Sequence, residues 1–240
     1  MFIYDHMSKV FAVIVNYKSD EQTNSLTNNL RGLKSIKEVI MIDNNIENRG
    51  FAKAANAGIR QALEKDIDHI LLVNPDVVFN KLNFEKFLNS APADILSPVI
   101  KFKRNNRWFY DFGGRVNWVL GRPDHLQRPS SALDYVSGAC MLIKREVFDK
   151  IGLFNEDYFL YFEDVDFCLR AKKARFKISV DQNTTIEHHL KEHRVSGDRF
   201  KILQNLKSNY YFIKKWVSWY FKPIAYVYFI MLACKETMNL

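Results

Sequence analysis

The sequence has few cysteines, and the three it has lie far apart. They are Cys140, Cys168 and Cys234. No C-x-x-C pair occurs, which excludes a cysteine zinc site and a disulfide framework and favours a reducing compartment. The longest uncharged run near the C-terminus is shorter than the ~20 residues that a bilayer-spanning helix needs. The first residues lack a basic region followed by an apolar core, so we expect no signal peptide and a cytoplasmic protein.

Common nucleotide-binding signatures are absent as well. The chain contains neither a P-loop nor a G-x-G-x-x-G motif, and no internal repeat. Its formal charge of +8 suits an anionic partner, but the charge lies largely in residues 198–240, without a basic recognition module. We therefore predict no binding to nucleic acid.

What the chain does have is apolar sequence, 48% of its residues, which predicts a substantial core. Three apolar runs (10–15, 39–42 and 69–73) have the character of strands buried in a parallel sheet. Amphipathic helices are predicted between them, one capped by Ser19 or Asp20 and one opening after Gly50. This order predicts an α/β fold with a Rossmann-like, mostly parallel central sheet flanked by helices.

Each of these predicted strands ends in polar residues. Asn16 follows the first strand, Asp43 follows the second, and Asp76 follows the third across a turn at Asn74-Pro75. Ligands of such sheets bind beyond the carboxyl ends of the strands, so these residues belong to one candidate site. By residue chemistry alone, Asp76 is either a turn residue or a ligand of a divalent cation that also holds phosphate.

An acidic cluster, Glu163, Asp164 and Asp166, follows the bulky apolar residues 159–162. A helix is predicted to begin near Glu163, acidic in its first turn and basic in its last, as the helix dipole favours. Carboxylates at the mouth of a core have raised pKa values, which suits a general base. The structural alternative is an acidic first turn that serves only the helix, and we assign Asp166 to that role.

The rest of the chain is less regular. A strand pair is predicted over 95–102, interrupted at Pro98, then an irregular segment over 103–133 and strands at 135–143 and 176–180. The spacing of His188, His189 and His193 suits no closed zinc site, so one of them is expected to complete a shared site. The basic, aromatic tail predicts an amphipathic helix lying on an anionic membrane surface, and a helix docked on the domain is the alternative.

Six motifs occur together in an order that resembles the family 2 inverting glycosyltransferases, especially the rhamnosyltransferase-type members that build bacterial surface polysaccharides. The motifs are Val13-Ile14-Val15-Asn16-Tyr17, Ile42-Asp43-Asn44, Asn48-Arg49-Gly50-Phe51-Ala52, Asn74-Pro75-Asp76, Ser137-Gly138-Ala139-Cys140 and Phe162-Glu163-Asp164-Val165-Asp166-Phe167-Cys168-Leu169-Arg170. The resemblance implies a GT-A fold over residues 8–197, with a nucleotide-sugar-binding half at 8–100 and an acceptor and catalytic half at 101–197. A basic, aromatic helical tail occupies 198–240.

The resemblance also implies the roles of single residues. Asp164 matches the catalytic base, and Glu163 supports it or contacts the acceptor. Asp76 matches the residue that holds Mg²⁺ or Mn²⁺ against the diphosphate, and His188, or else His189, matches the downstream histidine that reaches the metal. The residues expected to line the nucleotide-sugar pocket are Asn16, Asp43, Asn48, Gly50, Asn56 and Asp76.

The implied activity is sugar transfer from a nucleotide-sugar donor to a lipid-linked glycan acceptor, in polysaccharide synthesis of the O-antigen or capsule type. The expected donor is dTDP-rhamnose, with a UDP-hexose or UDP-galactofuranose as alternatives. The expected location is the cytoplasmic face of the inner membrane. The loop between Asn44 and Gly50 is shorter than is usual in the family, which leaves open an inactive, nucleotide-sugar-binding scaffold protein.

Overall fold

The computed structural model describes residues 8–90, 92–189 and 199–238. Its strands are β1 (Val10–Asn16), β2 (Ile36–Asp43), β3 (His69–Val73), β4 (Val77–Val78), β5 (Ile95–Arg104), β6 (Arg107–Asp111), β7 (Gly114–Asn117), β8 (Arg122–His125), β9 (Cys140–Lys144) and β10 (Ile178–His188). Its helices are α1 (Asp20–Arg31), α2 (Phe51–Leu63), α3 (Lys81–Ser90), α4 (Arg145–Ile151), α5 (Glu163–Lys173), α6 (Arg199–Trp216) and α7 (Lys222–Met238).

The central sheet has the strand order β2-β1-β3-β9-β5-β10-β4, with β6 paired to β5. β1, β2, β3, β5 and β10 run in one direction, and β9 and β4 run in the other. The sheet is therefore mixed, although most of its long strands are parallel as predicted. β7 and β8 form a separate hairpin.

The apolar run of β1 is buried on both faces of the sheet, which explains why it does not alternate with polar residues. Val10, Ala12 and Ile14 pack on the α1 and α3 side, whereas the intervening residues pack on the α2 and α5 side. On that second side α2 lies very close to the sheet. A Cβ atom added at Gly58 would lie 2.6 Å from Cγ1 of Val13.

Two predictions for the middle of the chain are wrong. Pro98 does not interrupt a strand, because β5 is continuous and changes partner there: it pairs with β9 at Ile95 and Leu96 and with β6 from Ile100 onward. On this edge Pro98 lies between the two pairings, and on the other edge it pairs with Asp181 of β10, directly before a shift of register. The segment 103–133 is also not irregular, because it holds β6, β7 and β8.

Two strand boundaries also differ from the prediction. The strand predicted at 135–143 begins only at Cys140, and the strand predicted at 176–180 extends to His188 as β10. β10 is therefore long enough for its carboxyl end to pair with β4, which directly follows the Asn74-Pro75-Asp76 turn.

The tail divides into two helices with different surroundings. α6 is docked on the domain: Phe212 is fully buried and packs on Phe162, and Trp216 donates a hydrogen bond to Asp166 (2.8 Å). α6 thus corresponds to the docked alternative and not to a helix lying free on a membrane. α7 packs on α6 and leaves one apolar side exposed. Within the described ranges, no helix is both long enough and apolar enough to span a bilayer.

Candidate active site

The predicted strand ends do meet at one edge of the sheet. Asn16 and Asp43 are direct neighbours in the pairing of β1 with β2. The turn after β3 joins the loop before β9 through a hydrogen bond from the Asn74 N–H to the Ala139 carbonyl (2.9 Å). The parallel strands therefore bring residues distant in sequence to a common crevice, as the βαβ order predicts.

The side chain of Asn16 is already occupied within the protein. Its amide donates to Asp20, and its Oδ1 accepts hydrogen bonds from Ser19 Oγ (3.1 Å) and Thr23 Oγ1 (3.0 Å). Only 6% of the residue is exposed. Asn16 thus fixes the start of α1 below the crevice, and little of its surface is available to a nucleotide.

Asp43 keeps an exposed carboxylate at the end of β2, where its Oδ1 accepts the N–H of Asn45 (2.9 Å). The short loop that follows is closed by its own amides. Asn44 accepts the N–H of Arg49 (3.0 Å), and Asn48 accepts the N–H of Gly50 (3.1 Å) and a bond from the Asn44 amide (3.2 Å). The abbreviated loop is therefore well ordered by hydrogen bonds, and Asn48 is one of its internal supports.

Gly50 and Asn56 connect the nucleotide half to the segment that carries the acids. Gly50 has a φ of 82°, and a Cβ there would lie 2.5 Å from the carbonyl oxygen of Phe159. Asn56 is 1% exposed, with its amide bonded to the Phe154 backbone (2.9 and 3.0 Å) and to Glu156 (2.9 Å). The predicted contact of Asn56 with the nucleotide has no support in this geometry, because its polar atoms hold the 154–156 segment.

Asp76 and His188 lie side by side. His188 Nε2 is 3.0 Å from Asp76 Oδ1, and both side chains are partly exposed. The pairing of His188 with Val77, and the hydrogen bond from the His189 N–H to the Asp76 carbonyl (2.9 Å), bring β10 beside the turn after β3. His189 instead faces Glu187 (3.3 Å), so His188 is the histidine directed at Asp76.

This pair suits a divalent cation that is shared with a ligand. The described residues contain no group of three or more His, Cys, Asp or Glu side chains able to hold a metal by themselves. Mg²⁺ in phosphate-transferring sites commonly takes one or two carboxylates and fills its other positions with water and phosphate oxygens. One carboxylate and one imidazole 3.0 Å apart are compatible with such a shared site.

An unusual backbone conformation directly before α5 orients the first acidic residues of this helix. Tyr161 and Phe162 both adopt left-handed conformations, with φ of 70° and 69°. Such conformations are costly for bulky residues and persist only where the surroundings fix them. Here Phe162 is held against Phe212, and Ser208 of α6 donates to the Leu160 carbonyl (2.8 Å). The turn directs Glu163 and Asp164 into a cavity of about 270 Å³.

Asp164 is fixed by two backbone N–H groups. Its Oδ2 accepts the N–H of Gly138 (2.8 Å), and its Oδ1 accepts that of Val165 (2.8 Å). A Cβ at position 138 would lie 3.3 Å from the Asp164 Cβ, so glycine permits this approach. Burial raises the pKa of Asp164, while the Gly138 bond and the charge of His125 oppose the rise. The result is a carboxylate of increased basicity with a fixed orientation.

Glu163 and Asp166 have opposite environments. Glu163 Oε2 is buried without a hydrogen-bond partner, and burial, together with the neighbouring Asp164 charge, raises the Glu163 pKa well above its usual value. Asp166 is fully buried but bonded to Arg170 (2.9 Å), Trp216 (2.8 Å) and Lys215 (2.6 Å). Glu163 therefore favours its neutral form more than a free carboxyl does, whereas Asp166 ties α5 to α6 through these three contacts.

Residues that the sequence did not single out complete the cavity. His125 of β8 lines it, and its Nδ1 lies 2.8 Å from Oδ2 of the buried Asp111. The ring of Tyr135 meets that of His125 edge to face at 5.4 Å. Asn205 and Asn209 line the opposite wall from α6. His125 comes from the segment predicted to be irregular, Tyr135 from the strand predicted at 135–143, and Asn205 and Asn209 from the tail. The sequence carried no pattern that joined them to Asp164.

The sequence matches the model of the family described as "Glycosyltransferase like family 2" over residues 3–205. Among curated proteins, the "Low-salt glycan biosynthesis hexosyltransferase Agl10" of Haloferax volcanii is 26% identical over 228 residues, covering 78% of this chain and 72% of the relative. The "N-acetylglucosaminyl-diphospho-decaprenol L-rhamnosyltransferase" of Mycobacterium tuberculosis is 26% identical over 211 residues, covering 75% and 68%.

The fold is shared with solved GT-A glycosyltransferases. The mannosyltransferase PcManGT from Pyrobaculum calidifontis, in complex with GDP-Man and Mn²⁺, superposes with a TM-score of 0.61 at 12% identity, covering 98% of this chain and 73% of that one. GalNAc-T7 with UDP, GalNAc and Mn²⁺ also gives 0.61, at 11% identity over 88% of this chain, which spans about half (48%) of that chain. The family match covers most of the sequence, and the chain therefore belongs to the glycosyltransferase-like family 2.

Proposed function

We propose that the protein is an inverting glycosyltransferase in which Asp164 is the base. The observation that carries the proposal is the environment of this carboxylate, which two backbone N–H groups hold at a cavity. One of these groups belongs to Gly138, whose neighbour Ala139 accepts the hydrogen bond from the turn after β3. The acceptor hydroxyl loses its proton to Asp164 as its oxygen bonds to the anomeric carbon. The bond from that carbon to the diphosphate breaks, and the diphosphate leaves with the electron pair.

Two further groups act with Asp164 in this proposal. Glu163, kept protonated by burial, carries a proton and no charge, so it does not repel the Asp164 carboxylate or the incoming hydroxyl. Asp76 and His188 would hold Mg²⁺ or Mn²⁺, which supplies positive charge to the departing diphosphate. The two structural relatives named above were solved with Mn²⁺, which supports this assignment.

For the donor we propose dTDP-rhamnose, because several relatives are named rhamnosyltransferases, including the "dTDP-rhamnosyl transferase RfbF" of Shigella flexneri. A UDP-hexose or UDP-galactofuranose is the alternative. The exposed carboxylate of Asp43, at the end of β2, is the side chain best located to bind a ribose or base. Asn16, Asn48 and Gly50 shape the same edge, chiefly by ordering its loops.

For the acceptor we propose a lipid-linked glycan, as the name of the mycobacterial relative suggests. A second cavity of about 270 Å³ adjoins the one at Asp164, and the two share Tyr161, Asn205 and Leu232. Its walls include Ile202 and Leu206 of α6. The same cavity is also lined by Lys201, Asn205 and Glu236, so it is amphipathic. A polar end beside the base and a mixed continuation between α6 and α7 suit a sugar attached to a lipid through a charged linkage.

The direct test is incubation with a panel of nucleotide sugars, Mg²⁺ or Mn²⁺ and lipid-linked acceptors, with release of nucleoside diphosphate as the signal. We expect release that depends on acceptor, metal and one donor of the panel. Binding of nucleotide sugar without turnover on any pair would favour the inactive scaffold. The intact Asp164, Asp76 and His188 arrangement argues against that alternative.

Asp76→Ala is expected to abolish metal-dependent binding of nucleoside diphosphate, because it removes the carboxylate of the proposed shared site. Isothermal titration calorimetry with Mn²⁺ present and absent measures this. His188→Ala should weaken metal-dependent binding, whereas His189→Ala, with its ring directed at Glu187, should leave it unchanged. Equal binding by Asp76→Ala and the parent protein would remove Asp76 from the metal site.

We also propose that α7 binds the anionic surface of the cytoplasmic membrane leaflet. Its exposed apolar side chains recur at helical spacing, at Ile224, Val227, Ile230 and Met231, and Trp219 just before the helix is 82% exposed. α6, on which α7 packs, carries three exposed lysines, Lys201, Lys207 and Lys214. Apolar residues flanked by cations are typical of helices that lie in a membrane interface.

The double substitution Val227→Gln and Ile230→Gln is expected to abolish co-sedimentation with phosphatidylglycerol vesicles. Binding by the parent protein should weaken as salt increases and should not extend to duplex DNA. Leu82→Gln, which changes a 76% exposed apolar residue on α3, is the matched control and should bind like the parent. If the double substitution instead dissolves a dimer and leaves vesicle binding intact, the apolar side of α7 is a contact between two copies.

A further inference from the structure

His125 and Asp111 form an ion pair that the proposed reaction has not used. Asp111 ends β6 and is 5% exposed, yet it makes two defined contacts: its Oδ1 accepts the N–H of Gly113 (2.8 Å), and its Oδ2 lies 2.8 Å from His125 Nδ1. Both contacts hold the Asp111 carboxylate in one orientation. It fixes the imidazole with Nδ1 as the donor, so the tautomer and the ring orientation are set.

The His125 ring also borders the cavity that contains Asp164. His125 lines the cavity with Glu163 and Asp164, and the side chain of His125 is half exposed there. The charged and titratable groups around it are Asp111 of β6, Arg122 and Asp124 of β8, Tyr135, and Glu163 and Asp164 of α5. Arg122 also lines the cavity, but it is engaged by Asp124 (2.9 Å) and by Tyr228 (2.7 Å). Of these two lining cations, His125 is therefore the one that can act as the partner of Asp164.

The electrostatics of the two groups are reciprocal. Burial alone lowers the pKa of His125, but the Asp111 contact and the charges of Asp111, Asp164 and Asp124 outweigh it, and the His125 pKa is raised from 6.5. In turn the His125 charge opposes the burial that raises the pKa of Asp164. Each group therefore favours the charged form of the other, as linkage requires.

We propose that His125, oriented by Asp111, is a positioning residue of the transfer reaction, and that its imidazolium keeps the Asp164 carboxylate ionised and ready to accept the acceptor proton. The inference rests on the proposed function for the role of Asp164. It adds a residue from β8, and its buried partner from β6, to a site otherwise built from strand ends and α5. Without the cation, Asp164 would share the cavity with Glu163 and would still feel the charge of the buried Asp111, and like charge would favour protonation of the base.

The coupling can be measured without any activity. The imidazole Hε1 resonance of His125, assigned with His125→Gln, is followed by NMR as a function of pH in the parent protein, Asp164→Asn and Asp111→Asn. Both substitutions remove a negative charge that favours the imidazolium, so the His125 midpoint should move to lower pH in each. His189, 60% exposed and paired with Glu187, is the internal control and should not move.

The pH dependence of transfer then tests whether the coupling of His125 with Asp164 affects the rate. If ionised Asp164 is required, the acidic limb of the rate profile follows its deprotonation, and His125→Gln should move this limb to higher pH. The rate on the limb should fall about threefold or more and recover toward the parent rate as pH rises. His125→Lys, which keeps a positive charge, should stay closer to the parent limb.

Three results would overturn the inference. They are a His125 midpoint unchanged in Asp164→Asn, an acidic limb unmoved in His125→Gln, and a loss of rate that is uniform across pH, as a purely structural residue would give. Failure of the proposed function is distinguishable, because it would be an absence of transfer in the parent protein whatever the NMR titration gives. The NMR arm decides in that case whether His125 and Asp164 are coupled.

Discussion

Asp164→Asn is expected to lower the rate of sugar transfer by about 10²–10⁴-fold, the usual contribution of a general base. The amide can keep the hydrogen bond from the Gly138 N–H through its oxygen, so the local geometry should persist. It cannot accept a proton from the acceptor hydroxyl. Burial of a charge is also removed, so the variant should be at least as stable as the parent.

The measurement is single-turnover transfer with saturating donor, accompanied by calorimetry for donor binding and by thermal unfolding. Donor affinity should be unchanged, since the proposed metal and nucleotide groups are untouched. Glu163→Gln is the matched comparison: the raised pKa already keeps Glu163 protonated, and glutamine resembles that neutral form. Transfer by Asp164→Asn at the parent rate, or an equal loss in both variants, would contradict the assignment of Asp164 as the base.

The location of this chemistry was predictable from the sequence, because it depends on local pattern and chain order. A β-branched run ending in Asn16, another ending in Asp43 and a third stopped by Pro75 predict three parallel strands whose carboxyl ends meet. The start of α5 at Glu163 was predictable for a similar reason, since charge order and apolar spacing both report the local helix. The structure has β1, β2, β3 and α5 at these positions.

The direction in which an amide points was not predictable. Asn16 and Asn56 were both expected to line the nucleotide pocket, which stays a prediction, and the sequence did not show that Asn16 bonds to the start of α1 and Asn56 to the 154–156 segment. The partners of Asn56 lie about a hundred positions away along the chain, at separations of 98 and 100. Periodicity carries no information on such contacts, because they depend on how loops meet after the core has formed.

The His125–Asp111 pair was missed for a related reason. The two residues meet because β6 ends where β8 ends, through backbone bonds between Phe112, Gly113 and Leu126 (2.8–2.9 Å). One signal was available: Asn105-Asn106 forms a two-residue turn with both φ positive (50° and 58°), which is typical of a hairpin. The Asn105-Asn106 dipeptide would have predicted the β5–β6 hairpin, although not the partner of Asp111.

The tail shows most clearly what could not be predicted from composition and spacing. An apolar stripe on a basic helix has the same spacing whether it faces a membrane or a protein core, so the sequence could not decide between them. The structure separates the two cases by burial. Phe212, Ile213 and Val217 of the α6 stripe are buried, whereas Ile224, Val227 and Ile230 of α7 are exposed. Phe212 joins the main core, and Ile213 and Val217 form a separate cluster with Ala225 of α7, while the border at residue 198 stays a prediction.

Phe212→Ala is accordingly expected to destabilise the whole protein by about 3–5 kcal/mol, the usual cost of removing a fully buried phenylalanine. The ring belongs to the main core and supports Phe162, whose left-handed backbone directs the acids of α5. Such a loss is a large share of the ~5–15 kcal/mol by which domains are stable. Transfer should fall as well, since the support of the catalytic turn is weakened.

Urea unfolding followed by tryptophan fluorescence and far-ultraviolet circular dichroism measures this cost. Leu203→Ala, on the same helix but 50% exposed, is the control and should change stability by no more than about 0.5 kcal/mol. Coincident transitions by the two probes, shifted together in Phe212→Ala, are the expected outcome, because α6 then unfolds with the sheet. An early, separate loss of helix signal with the main transition unshifted would mean that α6 is an independent tail, and that the wall it gives to the Asp164 cavity is not part of the domain.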